Sequence, residues 1–241
     1  MVDVLYQADE LFLIKHGLIK GSMRLVDAIQ AEQIYSDMAS TTEMSGGAVG
    51  NTVAAIASLG GKCSYIGKIS DDHSGEVFRS DMAALGVAFG VSAADDDSST
   101  ALCLVAITPD GERTMATYLG ACLELTTEDI NSDVIVNHKI TYLEGYLWDT
   151  VNAKEAMIKA AKVAKTAGLQ VALSLSDSFC VERHRDSFRD LISEYVDILF
   201  SNEEEIMALY QEDSVFKAID RGQNDVSVLV TTLGSRGSVV N

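Results

Sequence analysis

Proline is almost missing from this sequence: Pro109 is the single one in 241 residues, which argues against a long disordered tether or polyproline spacer. Basic residues are scarce too, 18 Lys and Arg against 36 Asp and Glu, and the net charge of −18 speaks against polyanionic partners such as nucleic acid or an anionic membrane surface. A small anion can still bind where arginine, backbone N–H groups or a divalent cation locally outweigh that field. No window holds the ~18 uninterrupted apolar residues needed to span a bilayer. The opening Met1-Val2-Asp3-Val4-Leu5-Tyr6 lacks the basic segment of a secretory signal, so the expected location is the cytoplasm. Four cysteines, Cys63, Cys103, Cys122 and Cys180, contain no CxxC pair. Neither a zinc knuckle nor a disulfide framework is indicated, and each is read as a small core residue.

What is present is enough apolar material for a core, 47% of residues, in a length that suits one large α/β domain or two small ones. From residue 121 onward, short β-branched runs at 140–143, 169–175, 196–200 and 226–231 alternate with amphipathic stretches at 152–167, 182–193 and 203–211. That alternation predicts parallel strands joined by crossover helices, with Gly168 ending the first helix as a C′ residue. The middle of the chain differs. Strand-like runs at 100–107 and 113–119 flank Thr108-Pro109-Asp110-Gly111-Glu112, which predicts a β-hairpin. Ahead of it, Asp95-Asp96-Asp97-Ser98-Ser99 is read as a solvated acidic turn rather than a metal site. Residues 18–26 look extended and 30–38 helical. The expected fold class is therefore α/β, a doubly wound, mostly parallel sheet with a small β-rich lid. The lid is assigned to residues 5–30 and 88–120, the α/β core to 31–87 and 121–241.

The segment Ser45-Gly46-Gly47-Ala48-Val49-Gly50-Asn51-Thr52 precedes a helix expected at 53–59. It reads either as a flexible loop capped by Asn51 or Thr52, or as a seat where backbone N–H groups approach sugar hydroxyls or an anion. Asn202-Glu203-Glu204-Glu205 reads as an asparagine N-cap with acids that complement the helix dipole, yet it follows a buried strand, where ligands approach open parallel sheets. Arg113 is either a solvated edge charge or a ligand clamp. Asp177 reads as the N-cap of a helix, and His73 and His184 as exposed residues flanking helices, without specific partners.

Taken in order, Asp3, Gly46-Gly47 with Asn51, Asn202 with Glu205, and Thr232-Leu233-Gly234-Ser235-Arg236-Gly237 resemble the PfkB (ribokinase-like) family of carbohydrate and nucleoside kinases. The spacing from the glycine pair to Gly60-Gly61 and on to Gly75 fits as well. The segment at 8–20 with the helix near 31–38 is similar to the adenosine-kinase branch. The resemblance implies that Asp3, at the end of the first strand, accepts hydrogen bonds from sugar hydroxyls, and that Gly46, Gly47 and Asn51 form the sugar-binding loop. It further implies that Asn202 and Glu205 act through water on Mg²⁺ near nucleotide phosphates, that Thr232, Gly234 and Gly237 form the nucleotide-binding turn, and that Arg113 reaches substrate or transferred phosphate. The implied cofactors are ATP and Mg²⁺, and the implied partner is a small nucleoside or sugar.

The family's Gly-Ala-Gly-Asp segment, which supplies the anion hole and the catalytic base, does not occur in these 241 residues, and only Met1-Val2 precede Asp3 where the family has an upstream Gly-Asn pair. The expectation is a chain truncated at both ends, inactive as it stands and marginally stable, with no catalytic base of its own. Alternatives are a free-sugar kinase of the same family and a non-catalytic nucleoside- or sugar-binding module. A dinucleotide oxidoreductase is disfavoured, since residues 45–51 lack G-x-G-x-x-G. The expected assembly is a monomer or a homodimer through the lid.

Overall fold

The computed structural model describes residues 1–90, 93–94 and 98–241. Contacts divide it into two compact units, Met1–Leu125 and Thr126–Asn241. Residues 31–87 fall in the first unit together with both segments expected to form the lid, and the acidic turn at 95–97 lies outside the described residues.

In chain order the first unit contains β1 (Val2–Gln7), α1 (Glu10–Lys15), β2 (Met23–Leu25), α2 (Ala28–Ser36), β3 (Thr42–Ser45), α3 (Ala48–Ser58), β4 (Ser64–Tyr65), α4 (His73–Ala84), β5 (Ala88–Phe89), β6 (Leu102–Ile107) and β7 (Arg113–Tyr118). Five of these strands form a mixed sheet in the order β2-β7-β6-β1-β3. β1 runs parallel to β6, with Val2 opposite Leu102, and antiparallel to β3, with Val2 opposite Ser45. β6 and β7 form the expected hairpin, closed by Thr108, whose N–H donates to the Glu112 carbonyl at 3.0 Å and whose hydroxyl donates to Asp110 at 2.6 Å. The extended stretch expected at 18–26 forms a strand only at β2, all three residues of which are exposed.

Side chains alternate across a strand, so each residue's face follows from its register. Val2, Val4, Leu104, Ala106 and Ala116 enter a core shared with Phe12, Ile34, Phe78 and Met82. The opposite face of the same three strands carries Asp3, Cys103 and Thr117, which lie side by side in the ladder. Beneath the sheet the rings of Tyr65, Phe78 and Phe89 meet at centroid distances of 5.1 to 5.6 Å. Helix α4 is tied to the strand region by Asp72. Its carboxylate caps the helix through Gly75 N–H and also accepts from the Thr100 N–H and hydroxyl, each at 2.7 Å.

The second unit contains α5 (Ser132–Val136), β8 (Ile140–Glu144), α6 (Val151–Thr166), β9 (Gln170–Ser174), α7 (Ser178–Tyr195), β10 (Ile198–Asn202), α8 (Glu203–Tyr210), α9 (Val215–Gly222), β11 (Val228–Thr232) and β12 (Ser238–Val240). Its sheet order is β12-β11-β10-β9-β8, parallel from β8 to β11, with β12 antiparallel at one edge. This is the parallel α/β arrangement expected from the alternating pattern. Helix α6 buries Ala153, Ala156, Ala160, Ala161 and Ala164, a stripe at helical spacing whose small side chains let the helix approach β8 and β9 closely. Its end is a Schellman motif: Leu169 N–H donates to Ala164 O at 2.9 Å and Gly168 N–H to Lys165 O at 3.0 Å, with Gly168 at φ +71°. Trp148 stacks on Phe188 at 5.0 Å in the core. Asp197 ties two crossovers together, accepting from Lys165 Nζ at 2.6 Å and from Val171 N–H at 2.8 Å.

Among these contacts the Asp72 carboxylate concentrates the most hydrogen bonds on one side chain. Replacing it (Asp72→Ala) leaves the Thr100 N–H and the α4 N-terminus unpaired. The expected loss is about 3 kcal/mol, the sum of a cap and a part-buried charged acceptor. Urea denaturation followed by circular dichroism measures it.

Candidate functional site

Asp3 is the second residue of β1 rather than a residue at a strand's end, so the sheet ladder fixes its backbone on both sides. Its carboxylate lies against the bare backbone of Gly46: a Cβ at Gly46 would sit 2.1 Å from Asp3 Cγ, inside the carboxylate itself. Gly47 follows at φ +79°, a conformation that L side chains rarely adopt, and is the N-cap of α3. The helix begins at Ala48, five residues before the expected start, and neither Asn51 nor Thr52 caps it. Asn51 instead sits in its first turns, with its N–H donating to Gly47 O at 2.9 Å.

The Asp3 carboxylate lies near Gly47 N–H, the Asn51 side chain and the Arg113 charge, all of which favour its ionised form. These groups hold it as an anion at a helix N-terminus, where free N–H donors and the helix dipole favour negative charge. Burial outweighs them, and the pKa stands above the ordinary 3.8. Asp3, Gly46, Gly47, Asn51 and Arg113 are thus brought together within the first unit. Arg113 itself is exposed at the first position of β7.

One participant was not anticipated from sequence. Asp81, in the last turn of α4, accepts the Ser45 N–H on Oδ2 at 2.6 Å and so pins the strand end that leads into the glycine pair. Its separation of 36 residues from Ser45 leaves no local motif to read.

In the second unit, Asn202 and Thr232 are in register at the carboxyl ends of β10 and β11. Asn202 and Glu205 form a capping box. The Glu205 carboxylate accepts from Asn202 N–H at 2.9 Å and from Asn202 Nδ2 at 2.8 Å, while Asn202 Oδ1 accepts from Glu205 N–H at 2.8 Å. The helix-cap reading of this segment therefore holds in the geometry. Glu205 is 6% exposed, and burial, with the charges of Asp177 and Glu204, raises its pKa. Two of a carboxylate's roughly four lone-pair positions are used here, so water or a cation can still be accommodated. Beyond Thr232, Gly234 and Gly237 stand at φ +57° and +93° with open space where side chains would be. Arg236 of this turn pairs with Glu203 in the first turn of α8.

Asp177 is the N-cap of α7, accepting from Cys180 N–H at 2.8 Å. His73 is the first residue of α4 and does have a partner, Glu43 at 3.0 Å. His184 lies within α7, not beside it, and contacts Asp149 Oδ1 at 2.7 Å.

The profile described as pfkB family carbohydrate kinase matches residues 21–241. The chain belongs to that family. Among solved structures, this pfkB family chain is similar to the adenosine kinase from Sinorhizobium meliloti, at 45% identity and a TM-score of 0.91, covering 100% of this chain and 74% of that one. It is also similar to a probable sugar kinase protein from Rhizobium etli, at 42% identity and a TM-score of 0.90, covering 99% and 73% respectively. The guanosine-inosine kinase of Escherichia coli is 28% identical over 98% of this chain, which spans 57% of that relative's length.

Two substitutions test the Asp3 seat. Gly46→Ala forces the carboxylate out of its place, and Asp81→Asn replaces the charged acceptor of Ser45 N–H with a neutral one. By titration calorimetry, Gly46→Ala is expected to abolish ligand binding in the first unit, and Asp81→Asn to weaken it roughly tenfold, the effect of about 1.4 kcal/mol.

Proposed function

We propose phosphorylation of a nucleoside hydroxyl, adenosine foremost, with ATP as donor and Mg²⁺ as charge partner, as the reaction these sites serve; the 241 residues hold no Gly-Ala-Gly-Asp segment to supply a base, so by themselves they bind both ligands without turnover. The observation that carries this reading is the Asp3 carboxylate. It lies against the bare backbone of Gly46 and remains only partly buried, so its lone pairs are available to neighbouring sugar hydroxyls. The same sheet face continues as Leu5 and Met115, both partly exposed, on either side of the fully buried Val105, apolar surface suited to a flat base beside the sugar. That surface, with the 45% identity to an adenosine kinase, favours a nucleoside over a free sugar. The free-sugar reading draws on the 42% identity to a probable sugar kinase.

The second unit fits a nucleotide. The turn at Gly234 and Gly237 leaves room where side chains would project, and Thr232 and Asn202 expose polar groups at the ends of parallel strands. Glu205 and Asn202 are the residues that would hold Mg²⁺ through water, their mutual hydrogen bonds keeping both in fixed rotamers. When bound, the ion neutralises charge on the transferred phosphoryl group. The exposed Arg113 guanidinium offers a planar, two-pronged partner to substrate or phosphate. The cytoplasm is the proposed setting, supported by four cysteines that are all free.

Titration calorimetry with adenosine, fructose and MgATP separates these readings. Saturable 1:1 adenosine binding is expected, weakened about 100-fold in Asp3→Asn, since hydrogen bonds to a charged group contribute about 1.5–3 kcal/mol each. Tighter binding of fructose than adenosine would overturn the nucleoside assignment. Glu205→Gln is expected to weaken MgATP binding and leave adenosine binding unchanged.

The Asp3 pKa also sets a pH dependence. The carboxylate is the binding form and its pKa is raised above 3.8, so adenosine affinity falls as pH drops through a midpoint above that value. Asp3→Asn is expected to remove this step. In stability the sign is reversed: the folded state disfavours the ionised form, so Asp3→Asn is expected to melt at a higher temperature than the parent at pH 7, by differential scanning fluorimetry.

A further inference from the structure

Three metal-ligating side chains converge in the second unit, apart from the residues proposed to bind nucleoside, nucleotide or Mg²⁺. Cys180 and His184 stand one turn apart on α7, and Asp149 closes the short 3-10 turn Gly145–Asp149 that follows β8. One donor atom from each, a thiol sulfur, an imidazole nitrogen and a carboxylate oxygen, lies within 4.8 Å of the other two. His184 Nε2 already meets Asp149 Oδ1 at 2.7 Å, and the Cys180 thiol donates to Gly145 O at 3.6 Å. Cys180 is 3% exposed whereas the Asp149 side chain is 43% exposed, so the group has a buried end and an end open to solvent. Helical backbone geometry breaks at His184 (φ −123°, ψ 23°), the residue that reaches across to Asp149.

We propose that Asp149, Cys180 and His184 form a binding site for a borderline-soft divalent cation of the zinc class. One sulfur, one nitrogen and one oxygen donor make a set that zinc accepts and that magnesium and calcium, which require oxygen, do not. On binding, the thiol gives its proton to solvent and its sulfur to the ion. His184 bonds through the ring nitrogen now facing Asp149, and the open end leaves a fourth, solvent position. Donors of a tetrahedral zinc site stand roughly 3.5 Å apart, so a modest rotation of the exposed Asp149 side chain completes the geometry. The ion would fasten the Gly145–Asp149 turn to α7.

Arg183 is the opposing group. Its guanidinium spans Asp149, Nε to Oδ1 at 3.2 Å and a terminal nitrogen to Oδ2 at 2.6 Å, neutralising one of the two negative charges the site offers. That contact makes the proposal sharply testable, because its removal affects a metal site and a plain ion-pair brace in opposite ways.

The experiment is titration of the chelator-treated chain with Co²⁺ and then Zn²⁺, read by absorbance. A 1:1 end point is expected, with a sulfur-to-cobalt charge-transfer band that Zn²⁺ displaces. Cys180→Ser, close in volume and therefore expected to fold, should abolish the band and lower affinity at least 30-fold. His184→Ala should lower affinity comparably, and Arg183→Ala should raise it several-fold. In thermal melts, added Zn²⁺ should stabilise the parent and Arg183→Ala but not Cys180→Ser. No saturable binding, or a cobalt spectrum and affinity unchanged in Cys180→Ser, overturns the site.

Discussion

A carboxylate pressed against a backbone without a side chain is the contact on which the ligand seat proposed for the first unit depends. Asp3 sits where a Cβ at Gly46 would have to be. Its charge is partly removed from water, a cost that neighbouring Gly47 and Asn51, the Arg113 guanidinium and the Met1 amino group offset without cancelling, so its pKa stands above the ordinary value. A carboxylate held in this way is stiff and only moderately content as an anion. Both properties suit a group that must accept hydrogen bonds from a ligand and release it again.

The second unit solves a related problem by different means. There the acid is Glu205, almost fully buried, and its partner is a side chain three residues away on the same helix turn. The capping box satisfies the helix and fixes the acid in one step. A helix terminus and the proposed ligand site therefore draw on the same few atoms, which is why the segment 202–205 supports both readings of its sequence. The open turn at Gly234 and Gly237 complements it at the neighbouring strand.

The parallel α/β half was legible because strand length, β-branching and alternation agree there with the tertiary outcome: all four expected strands and the helices between them form. The hairpin was legible for the same reason, through Pro109, Asp110 and Gly111 at the positions a turn requires. The start of α3 was not. Gly50 and Asn51 are poor helix formers, so a reading by propensity begins the helix after them. Gly50 is buried near the Phe78 ring, at 3.6 Å from where its Cβ would be, and packing overrides propensity. Asp81 and the partner of His184 were invisible for a simpler reason. Contacts spanning 36 and 35 residues are made by the sheet and helix arrangement, and no spacing rule reports them.

The register of β1 carries a consequence for how the first unit comes into being. Val2 pairs with Ser45 on one side and with Leu102 on the other. As the chain leaves the ribosome, the antiparallel neighbour arrives first and the parallel one only after the stretch from Ser45 to Leu102 has also emerged, and closing so long a loop is slow. Through that interval β1 has one unpaired edge, an invitation to neighbouring nascent chains. The proposed seat at Asp3 can assemble with β3 and α3 early, while the strand that carries it waits for β6 to seal its other side. Nascent chains of this unit should therefore acquire the seat before they acquire protection from aggregation, and their yield should depend on how quickly translation delivers the hairpin of β6 and β7.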